Sequence, residues 1–204
     1  MDWFIPQSTT PKALVLVAHP DDETIFCGGL MLSYPNWNWQ VVCMTGNRQN
    51  LRGKQFINAI KMYKFLGVNI TNYILMGHKD SLHPLLVTET KKWKRSLKDL
   101  NLNNDIVFTH NTLGDYGHPH HIVLCKMAND LYKNIWEFLL IGVPYIDVPP
   151  VLNIVNAVPL DKRITNNKLK LFNYNYTTEL YLWKKEYKML NAAFSSGIEL
   201  YTHL

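Results

Sequence analysis

Acidic and imidazole side chains are concentrated at two places in the sequence, and the first of them is His19-Pro20-Asp21-Asp22-Glu23. Carboxylates this close in sequence repel one another and raise one another's pKa values, whereas a divalent cation neutralises them directly. We therefore interpret this cluster as a metal-binding or catalytic site. The alternative is an ordinary acidic N-cap, in which Asp21 or Asp22 binds the first amide groups of the helix that follows.

The second cluster is the segment Gly114–His121, which reads Gly-Asp-Tyr-Gly-His-Pro-His-His. Proline is favoured at the first position of a helix, so Pro119 predicts a helix that has His118 as its N-cap and His121 as its third residue. Because residues at this spacing are neighbours on a helix, we expect the imidazoles of His118 and His121 on one side of the helix start. The side chain of His120 is expected to point elsewhere.

The two clusters together contain the ligand types of a catalytic zinc site. Two histidines and one carboxylate can bind catalytic zinc, with the fourth position left to water, and His19, His121 and one aspartate make up such a set. Zinc lowers the pKa of this water toward about 7, and a neighbouring carboxylate can take its proton as it attacks a carbonyl group. The residues therefore predict hydrolysis, with one member of the pair Asp21-Asp22 as ligand and the other as base.

Short apolar runs alternate with segments of helical spacing along the chain. The run Ala13–Ala18 is continuously aliphatic, which is typical of a strand that is buried on both faces of a parallel sheet. Further strands are predicted at 41–44, 73–76, 106–108, 139–143 and 152–158, and helices at about 23–34, 51–66, 88–100, 119–132 and 178–194. This order predicts an α/β fold with an open, mostly parallel sheet and helices on both faces. Such sheets bind ligands beyond the carboxyl ends of their strands, and both clusters follow a predicted strand.

The length and charge of the chain limit its organisation and its partners. A chain of 204 residues and 23.8 kDa predicts one domain that spans residues 1–204. The net charge is +5, but the basic residues are dispersed, so no nucleic-acid partner is expected. The densest basic cluster flanks Trp93 and is interpreted as the solvated face of a helix; it comprises Lys91, Lys92, Lys94 and Arg95.

The cysteines and the apolar segments bear on the cellular compartment. Cys27, Cys43 and Cys125 have no Cys-x-x-Cys spacing and have apolar neighbours, so we expect buried free thiols in a reducing compartment. The N-terminal residues lack the apolar core of a signal peptide, and no stretch approaches the roughly 18 unbroken apolar residues of a membrane span. The sequence therefore predicts a soluble, cytoplasmic protein without a transmembrane segment.

The motifs Ala-His-Pro-Asp-Asp-Glu at Ala18–Glu23 and Gly-His-Pro-His-His at Gly117–His121 resemble those of the LmbE-like, or PIG-L, family of zinc-dependent N-acetylglucosaminyl de-N-acetylases. The likeness covers about residues 12–125. It implies a Rossmann-like fold and a hydrolase that removes the N-acetyl group from an N-acetylglucosamine-containing substrate by attack of a zinc-bound water. The implied partner is a small-molecule amino-sugar conjugate. Residues 146–204 would complete the substrate groove of a domain whose core is about residues 12–145.

The resemblance also implies roles for individual residues of the two motifs. His19, Asp22 and His121 correspond to the ligands of Zn²⁺, and the same ligands also suit another first-row divalent metal such as iron. Asp21 corresponds to the general base. His118 corresponds to the residue that stabilises the oxyanion or protonates the leaving amine.

Three further positions match the family less closely than the two motifs do. Tyr116 corresponds to a residue at the mouth of the site that contacts the reacting carbonyl group. Arg52 matches an arginine associated with substrate binding, and Asp80 matches an acidic residue near the metal ligands, so we group the two as substrate-binding candidates. The aromatic residues of the C-terminal part are either sugar-stacking faces or core; they are Phe172, Tyr174, Tyr176, Tyr181, Trp183 and Tyr187.

One departure from the family pattern leaves two alternatives open. The family commonly has an aspartate where this chain has His120, and that aspartate would orient His118; its role passes to Asp115 or is lost. The alternatives to a deacetylase are a non-catalytic sugar-binding module that retains the metal pocket, and a zinc amidase that acts on another N-acylated metabolite. The presence of every implied ligand and of Asp21 favours an active enzyme.

Overall fold

The computed structural model describes residues 10–81, 83–139, 155–177, 179 and 197–203. Within these ranges the chain forms seven strands and five helices. The strands are β1 (Lys12–Val17), β2 (Asn38–Thr45), β3 (Ile70–His78), β4 (Ile106–Thr109), β5 (Ile135–Leu139), β6 (Val155–Pro159) and β7 (Ile198–His203). The helices are α1 (Asp22–Ser33), α2 (Leu51–Phe65), α3 (Val87–Asp99), α4 (Pro119–Leu131) and α5 (Lys162–Asn175).

The strands form one sheet in the order β3-β2-β1-β4-β5-β7-β6. Strands β1 to β5 pair in parallel, whereas β7 runs antiparallel to both β5 and β6. The predicted α/β fold with an open, mostly parallel sheet is confirmed. The strand order changes direction between β1 and β4, because β2 and β3 follow on one side and β5 on the other. Open α/β sheets bind their ligands at such a switch point, beyond the carboxyl ends of the strands.

Strand β1 is buried on both faces, as its aliphatic sequence predicts. Ala13, Val15 and Val17 pack in a core with residues of α1, α2 and α5. Leu14 and Leu16 pack on the opposite face of the sheet, in a second core with residues of α3 and α4. Helices therefore cover both faces of the sheet, and the segment that follows β1 starts from a rigid strand at its centre.

The strand predicted at 139–143 is in fact β5, which begins at Ile135. Residues 140–154 lie outside the described residues. Hydropathy places the strand too late because Glu137 interrupts the apolar run. The Glu137 side chain is nevertheless buried, and it accepts a hydrogen bond from the Cys125 thiol at 2.9 Å.

The end of the chain differs further from the prediction. The strand predicted at 152–158 corresponds to β6, but hydropathy alone reveals neither α5 nor β7. A local signal for α5 exists, because the Asp161 carboxylate at its N-cap accepts a hydrogen bond from the Ile164 amide at 2.7 Å. The helix predicted at 178–194 lies outside the described residues apart from Glu179.

The surface of α3 and the cysteines agree with the sequence-based expectations. The basic residues around Trp93 are exposed on α3, whereas Trp93 itself is buried in the core. Cys27, Cys43 and Cys125 are buried free thiols. Among the described residues, no helix combines the length and the apolar character that crossing a membrane requires.

A buried ion pair ties the C-terminal elements to α1. Lys168 Nζ of α5 lies 2.6 Å from Glu199 Oε1 of β7 and donates to the Ile25 carbonyl oxygen at 2.8 Å. The Glu199 carboxylate accepts hydrogen bonds from the Gly29 and Leu30 amides, each at 2.7 Å. Because these amides and this carbonyl group belong to α1, the pair holds that helix against α5 and β7.

Replacing Lys168 by methionine tests this arrangement. The Lys168→Met variant leaves the Glu199 carboxylate buried without its cation, so we expect the free energy of unfolding to fall by about 3–5 kcal/mol. The matched control is Lys170→Met, which removes an exposed lysine from the same helix. Urea denaturation of both variants measures the difference. Equal stability of the two variants would contradict a stabilising role for the ion pair.

Candidate active site

The fold brings the two clusters of the sequence together at the switch point of the sheet. His19 follows β1, and His121 lies in the first turn of α4, which follows β4. Since β1 and β4 are adjacent parallel strands, their carboxyl ends lie at the same edge of the sheet. As a result, His19 Nδ1 lies 3.1 Å from His121 Nε2, although the residues are far apart in the sequence.

Three buried side chains point their ligand atoms at one another. Asp22 Oδ2 lies 3.3 Å from His19 Nδ1 and 3.4 Å from His121 Nε2. Ligand atoms at the usual bond length of about 2.0–2.1 Å from a tetrahedral zinc ion are about 3.3–3.4 Å apart. The nitrogens and the oxygen of this trio therefore have the identity and the spacing that one such ion requires.

A second carboxylate orients the imidazole of His121. Asp115 Oδ2 lies 2.7 Å from His121 Nδ1 and 2.5 Å from His110 Nδ1. The Ala18 amide donates to His110 Nε2 at 3.0 Å, so the ring proton of His110 belongs on Nδ1. Asp115 thus orients His121 and His110, not His118, and its position leaves Nε2 of His121 facing Asp22 and His19.

The electrostatics of this trio favour one positive charge. Burial disfavours charge on both Asp22 and His121, but the nearby imidazoles of His121 and His110 hold the pKa of Asp22 well below its usual range. The carboxylates of Asp22 and Asp115 raise the pKa of His121 to about 9. Burial lowers the pKa of His19 to about 4, so this ring is neutral. A cation between Asp22 and His121, either a proton or a metal ion, is therefore stabilised.

Asp21 has an unusual backbone and does not behave as a structural helix cap. It occupies the N-cap position of α1, but its side chain makes no capping hydrogen bond. Its φ of 119° lies in a region that costs a non-glycine residue of order 1–3 kcal/mol, and such residues cluster at active sites. Burial raises the pKa of its carboxyl group well above the usual range. These features argue against the acidic N-cap as the explanation of the first cluster.

Glu23 holds the backbone of Asp21 and connects it to the C-terminal part of the chain. Its Oε2 accepts a hydrogen bond from the Asp21 amide at 3.1 Å, and its Oε1 accepts one from the Tyr176 hydroxyl at 2.6 Å. Burial raises the pKa of Glu23 to about 7. Tyr176 is fully buried and so belongs to the core instead of offering a sugar-stacking face. Nothing in the sequence pairs these two residues, since they are remote along the chain.

Arg52 of α2 lies among three carboxylates. Its Nη1 is 2.6 Å from Asp80 Oδ2, its Nη2 is 3.4 Å from Asp21 Oδ1, and its Nε is 3.0 Å from Glu179 Oε1. Its Nη2 also donates to the Pro20 carbonyl oxygen at 2.9 Å. The structure therefore brings the two substrate-binding candidates, Arg52 and Asp80, to the edge of the site as an ion pair, with 32% of the arginine side chain exposed.

His118 and Tyr116 line the more open side of the trio. His118 is the N-cap of α4, as predicted, and its ring stacks on that of His121 with 4.7 Å between centroids. Its Nδ1 accepts a hydrogen bond from the His120 amide at 3.2 Å. Burial and the adjacent His121 lower the pKa of His118 to about 2. The Tyr116 ring lies 5.9 Å from the His118 ring and 5.3 Å from the His121 ring.

The expectation that His120 points elsewhere is wrong. Its ring is buried, and its Nδ1 lies 3.1 Å from Nε2 of His19. The other ring nitrogen, Nε2, lies 3.2 Å from the carbonyl oxygen of His83. This carbonyl group belongs to the segment between β3 and α3, and its position next to α4 is a tertiary contact that helix periodicity does not reveal.

Solved structures share this fold. Dbv21, the deacetylase of the antimicrobial A40926 pseudoaglycone, superposes with a TM-score of 0.73 at 11% identity, over 96% of this chain and 97% of that chain. The N,N'-diacetylchitobiose deacetylase of Pyrococcus horikoshii superposes with a TM-score of 0.65 at 18% identity, over 98% of this chain and 87% of that chain. At these identities the similarity establishes the fold alone.

Sequence comparison identifies the family. Uncharacterized protein L374 of Acanthamoeba polyphaga mimivirus is 28% identical in an alignment 144 residues long, which covers 61% of this chain. The chain spans 60% of the length of that relative. The model of the PIG-L family, described as GlcNAc-PI de-N-acetylase, matches residues 14–132. Because this match covers more than half of the chain, the protein belongs to the PIG-L family.

Proposed function

We propose that the protein is a zinc-dependent amidohydrolase that removes the N-acetyl group from an N-acetylglucosamine-containing substrate. The observation that carries the proposal is the convergence of His19 Nδ1, Asp22 Oδ2 and His121 Nε2 within 3.4 Å of one another. Membership of a family described as GlcNAc-PI de-N-acetylase supports the reaction and the class of sugar. The substrate would be a small amino-sugar conjugate.

His19, Asp22 and His121 would hold the metal ion. Two imidazoles and one carboxylate suit zinc, and they also accept another first-row divalent metal. Zinc supplies Lewis-acid chemistry at such a site, because it polarises a carbonyl group and acidifies a water molecule. The hydrogen bonds that Asp115 accepts from the neighbouring imidazoles support this use of His121 by fixing the orientation of its ring.

We assign the proton transfers to Asp21. Its carboxylate would take a proton from the water that attacks the acetamide carbonyl carbon, and would pass it to the amine as the carbon–nitrogen bond breaks. Acetate and the free amino sugar are then the products. Arg52, with Nη2 at 3.4 Å from Asp21 Oδ1 and bonded to the Pro20 carbonyl oxygen, would hold the carboxylate in place.

We assign His118 to the carbonyl oxygen of the substrate. Its Nδ1 already accepts a hydrogen bond from the His120 amide, so the ring proton belongs on Nε2, and a neutral ring can donate it to the developing oxyanion. Tyr116, beside the rings of His118 and His121, would contact the same carbonyl group. The ion pair between Glu179 and Arg52 supports a contribution of the C-terminal part to the substrate groove.

An assay of amine release tests the proposed function. The purified protein is incubated with a panel of N-acetylglucosamine conjugates, with and without a chelator, and free amine is quantified. We expect release that the chelator abolishes and added zinc restores. Sugar binding without release would indicate the non-catalytic module, and release confined to other N-acyl compounds would indicate an amidase of different specificity.

The two adjacent aspartates are expected to respond differently to substitution. Asp21→Asn keeps the three metal ligands, so we expect nearly unchanged zinc content and a kcat lowered by about 10²–10⁴-fold, the usual contribution of a positioned proton-transfer group. Asp22→Asn removes a ligand, so we expect loss of zinc. Metal analysis and steady-state kinetics of both variants measure this difference. Identical zinc content and residual rate in the two variants would show that the roles are assigned wrongly.

Asp115→Asn is expected to weaken metal binding without removing a ligand. Asparagine tolerates the positive φ of 63° at this position, but it lacks the charge that fixes the His121 ring, so we expect about 10–100-fold lower zinc affinity. The matched control is Asp130→Asn, which neutralises an exposed carboxylate on α4. Competition with a chromophoric chelator measures both affinities. Equal affinities in the two variants would contradict the orienting role of Asp115.

A further inference from the structure

His120 stands where relatives commonly have aspartate, and its ring protons can be assigned from its contacts. The His83 carbonyl oxygen, 3.2 Å from His120 Nε2, can only accept a hydrogen bond. Nε2 therefore carries the proton of the neutral ring, and Nδ1 keeps a lone pair. The ring forms a T-shaped contact with Trp93, with 5.4 Å between centroids, so the lone pair is held in a fixed direction.

His19 lies between two such lone pairs. Its Nε2 is 3.1 Å from His120 Nδ1, and its Nδ1 is 3.1 Å from His121 Nε2. The Nε2 atom of His121 also keeps a lone pair when its ring is neutral, because Asp115 accepts the proton on Nδ1. Both nitrogens of His19 thus face an acceptor at hydrogen-bond distance.

A neutral imidazole has one N–H group, so His19 can satisfy only one of its two neighbours. The other contact brings two lone pairs together and needs a cation between them. The cation belongs between His19 Nδ1 and His121 Nε2, because the negative charge of Asp22 lies there. Its buried Oδ2 is 3.3 Å from His19 Nδ1 and 3.4 Å from His121 Nε2. The proton of His19 consequently belongs on Nε2, facing His120.

Asp80 is the only other carboxylate that the described residues place near this nitrogen. Its Oδ1 is 3.5 Å from His19 Nε2, and its Oδ2 is engaged with Arg52 Nη1 at 2.6 Å. Asp80 is exposed, whereas His120 is buried and closer. His120 is therefore the closer and the more deeply buried acceptor for the His19 proton, at 3.1 Å against 3.5 Å for Asp80.

We propose that His120 is a positioning residue that accepts the Nε2–H hydrogen bond of His19 and so directs His19 Nδ1 to the metal. The inference rests on the proposed metal site. A relay of two hydrogen bonds thus runs from His19 to His120 and from His120 to the His83 carbonyl group. It orients His19 in the same way that the carboxylate of Asp115 orients His121. Hydrogen bonds of this kind fix the tautomer of a ligating histidine and raise its basicity.

Three variants test the relay through zinc affinity, which requires no substrate. His120→Leu removes the acceptor, so we expect zinc affinity to fall by about 10–100-fold. His120→Asn places an amide oxygen near the position of Nδ1, and we expect it to restore affinity to within a few-fold of wild type. His78→Leu is the matched control, because the His78 ring also packs against Trp93, with 5.5 Å between centroids, but within the described part of the chain His78 makes no contact with His19.

Chelator competition measures the zinc affinities, and the visible spectrum of the cobalt-substituted protein reports the geometry of the ligands. We expect an altered cobalt spectrum in His120→Leu alone, with circular dichroism confirming that each variant is folded. Wild-type affinity in a folded His120→Leu protein would overturn the inference, as would the failure of His120→Asn to restore it.

The stoichiometry of binding separates this inference from the other outcomes. If the wild type bound two zinc ions and His120→Leu bound one, His120 would itself be a ligand, together with His19 and His118, and the positioning role would be wrong. If zinc affinities followed the expected order but no amine were released, the proposed function alone would fail. If the wild-type protein bound no zinc, both the proposed function and the relay would be overturned.

Discussion

The buried carboxylate of Asp22 is the charge on which the site depends. A carboxylate in the protein interior is costly unless positive or hydrogen-bonding partners surround it. Its Oδ2 accepts a hydrogen bond from the His19 amide at 2.8 Å, and it lies 3.4 Å from Nε2 of His121, whose pKa is raised to about 9. Asp115 lies on the far side of the His121 ring, so this ring is held between two buried carboxylates. The same arrangement that makes the carboxylate tolerable in the interior also prepares it to bind a cation.

Residues of the C-terminal part of the chain fix the position of α1. Glu23 fixes the strained backbone of Asp21, and the Tyr176 hydroxyl in turn fixes Glu23. Further along α1, the side chains of Lys168 and Glu199 form hydrogen bonds with the backbone of this helix. All three of these C-terminal residues lie beyond residue 132, where the match to the family ends. Residues beyond the segment that matches the family therefore fix the position of residues within that segment.

The histidine at position 120 shows how one side chain can alter the hydrogen bonds of a site in which His19, Asp22 and His121 are all present. His118 takes its orientation from the backbone amide of His120, and it does not require a neighbouring carboxylate for this. The ring of His120 is thereby free to face His19. The tautomer of His19 then follows from simple counting, because two acceptors compete for one proton and the buried charge of Asp22 favours a cation on one side.

The sequence by itself determined the type of fold and the residue types of the two clusters. Alternation of aliphatic runs with helical segments predicts the parallel sheet, and Pro119 predicts the start of α4, because both signals are local. Only the tertiary structure decided that His120 faces His19 and that Asp115 orients His121 instead of His118. It also decided that Tyr176 contacts Glu23 and that Glu179 pairs with Arg52. The physical reason is that these contacts join segments remote in sequence, whose meeting depends on strand order and packing that no local pattern encodes.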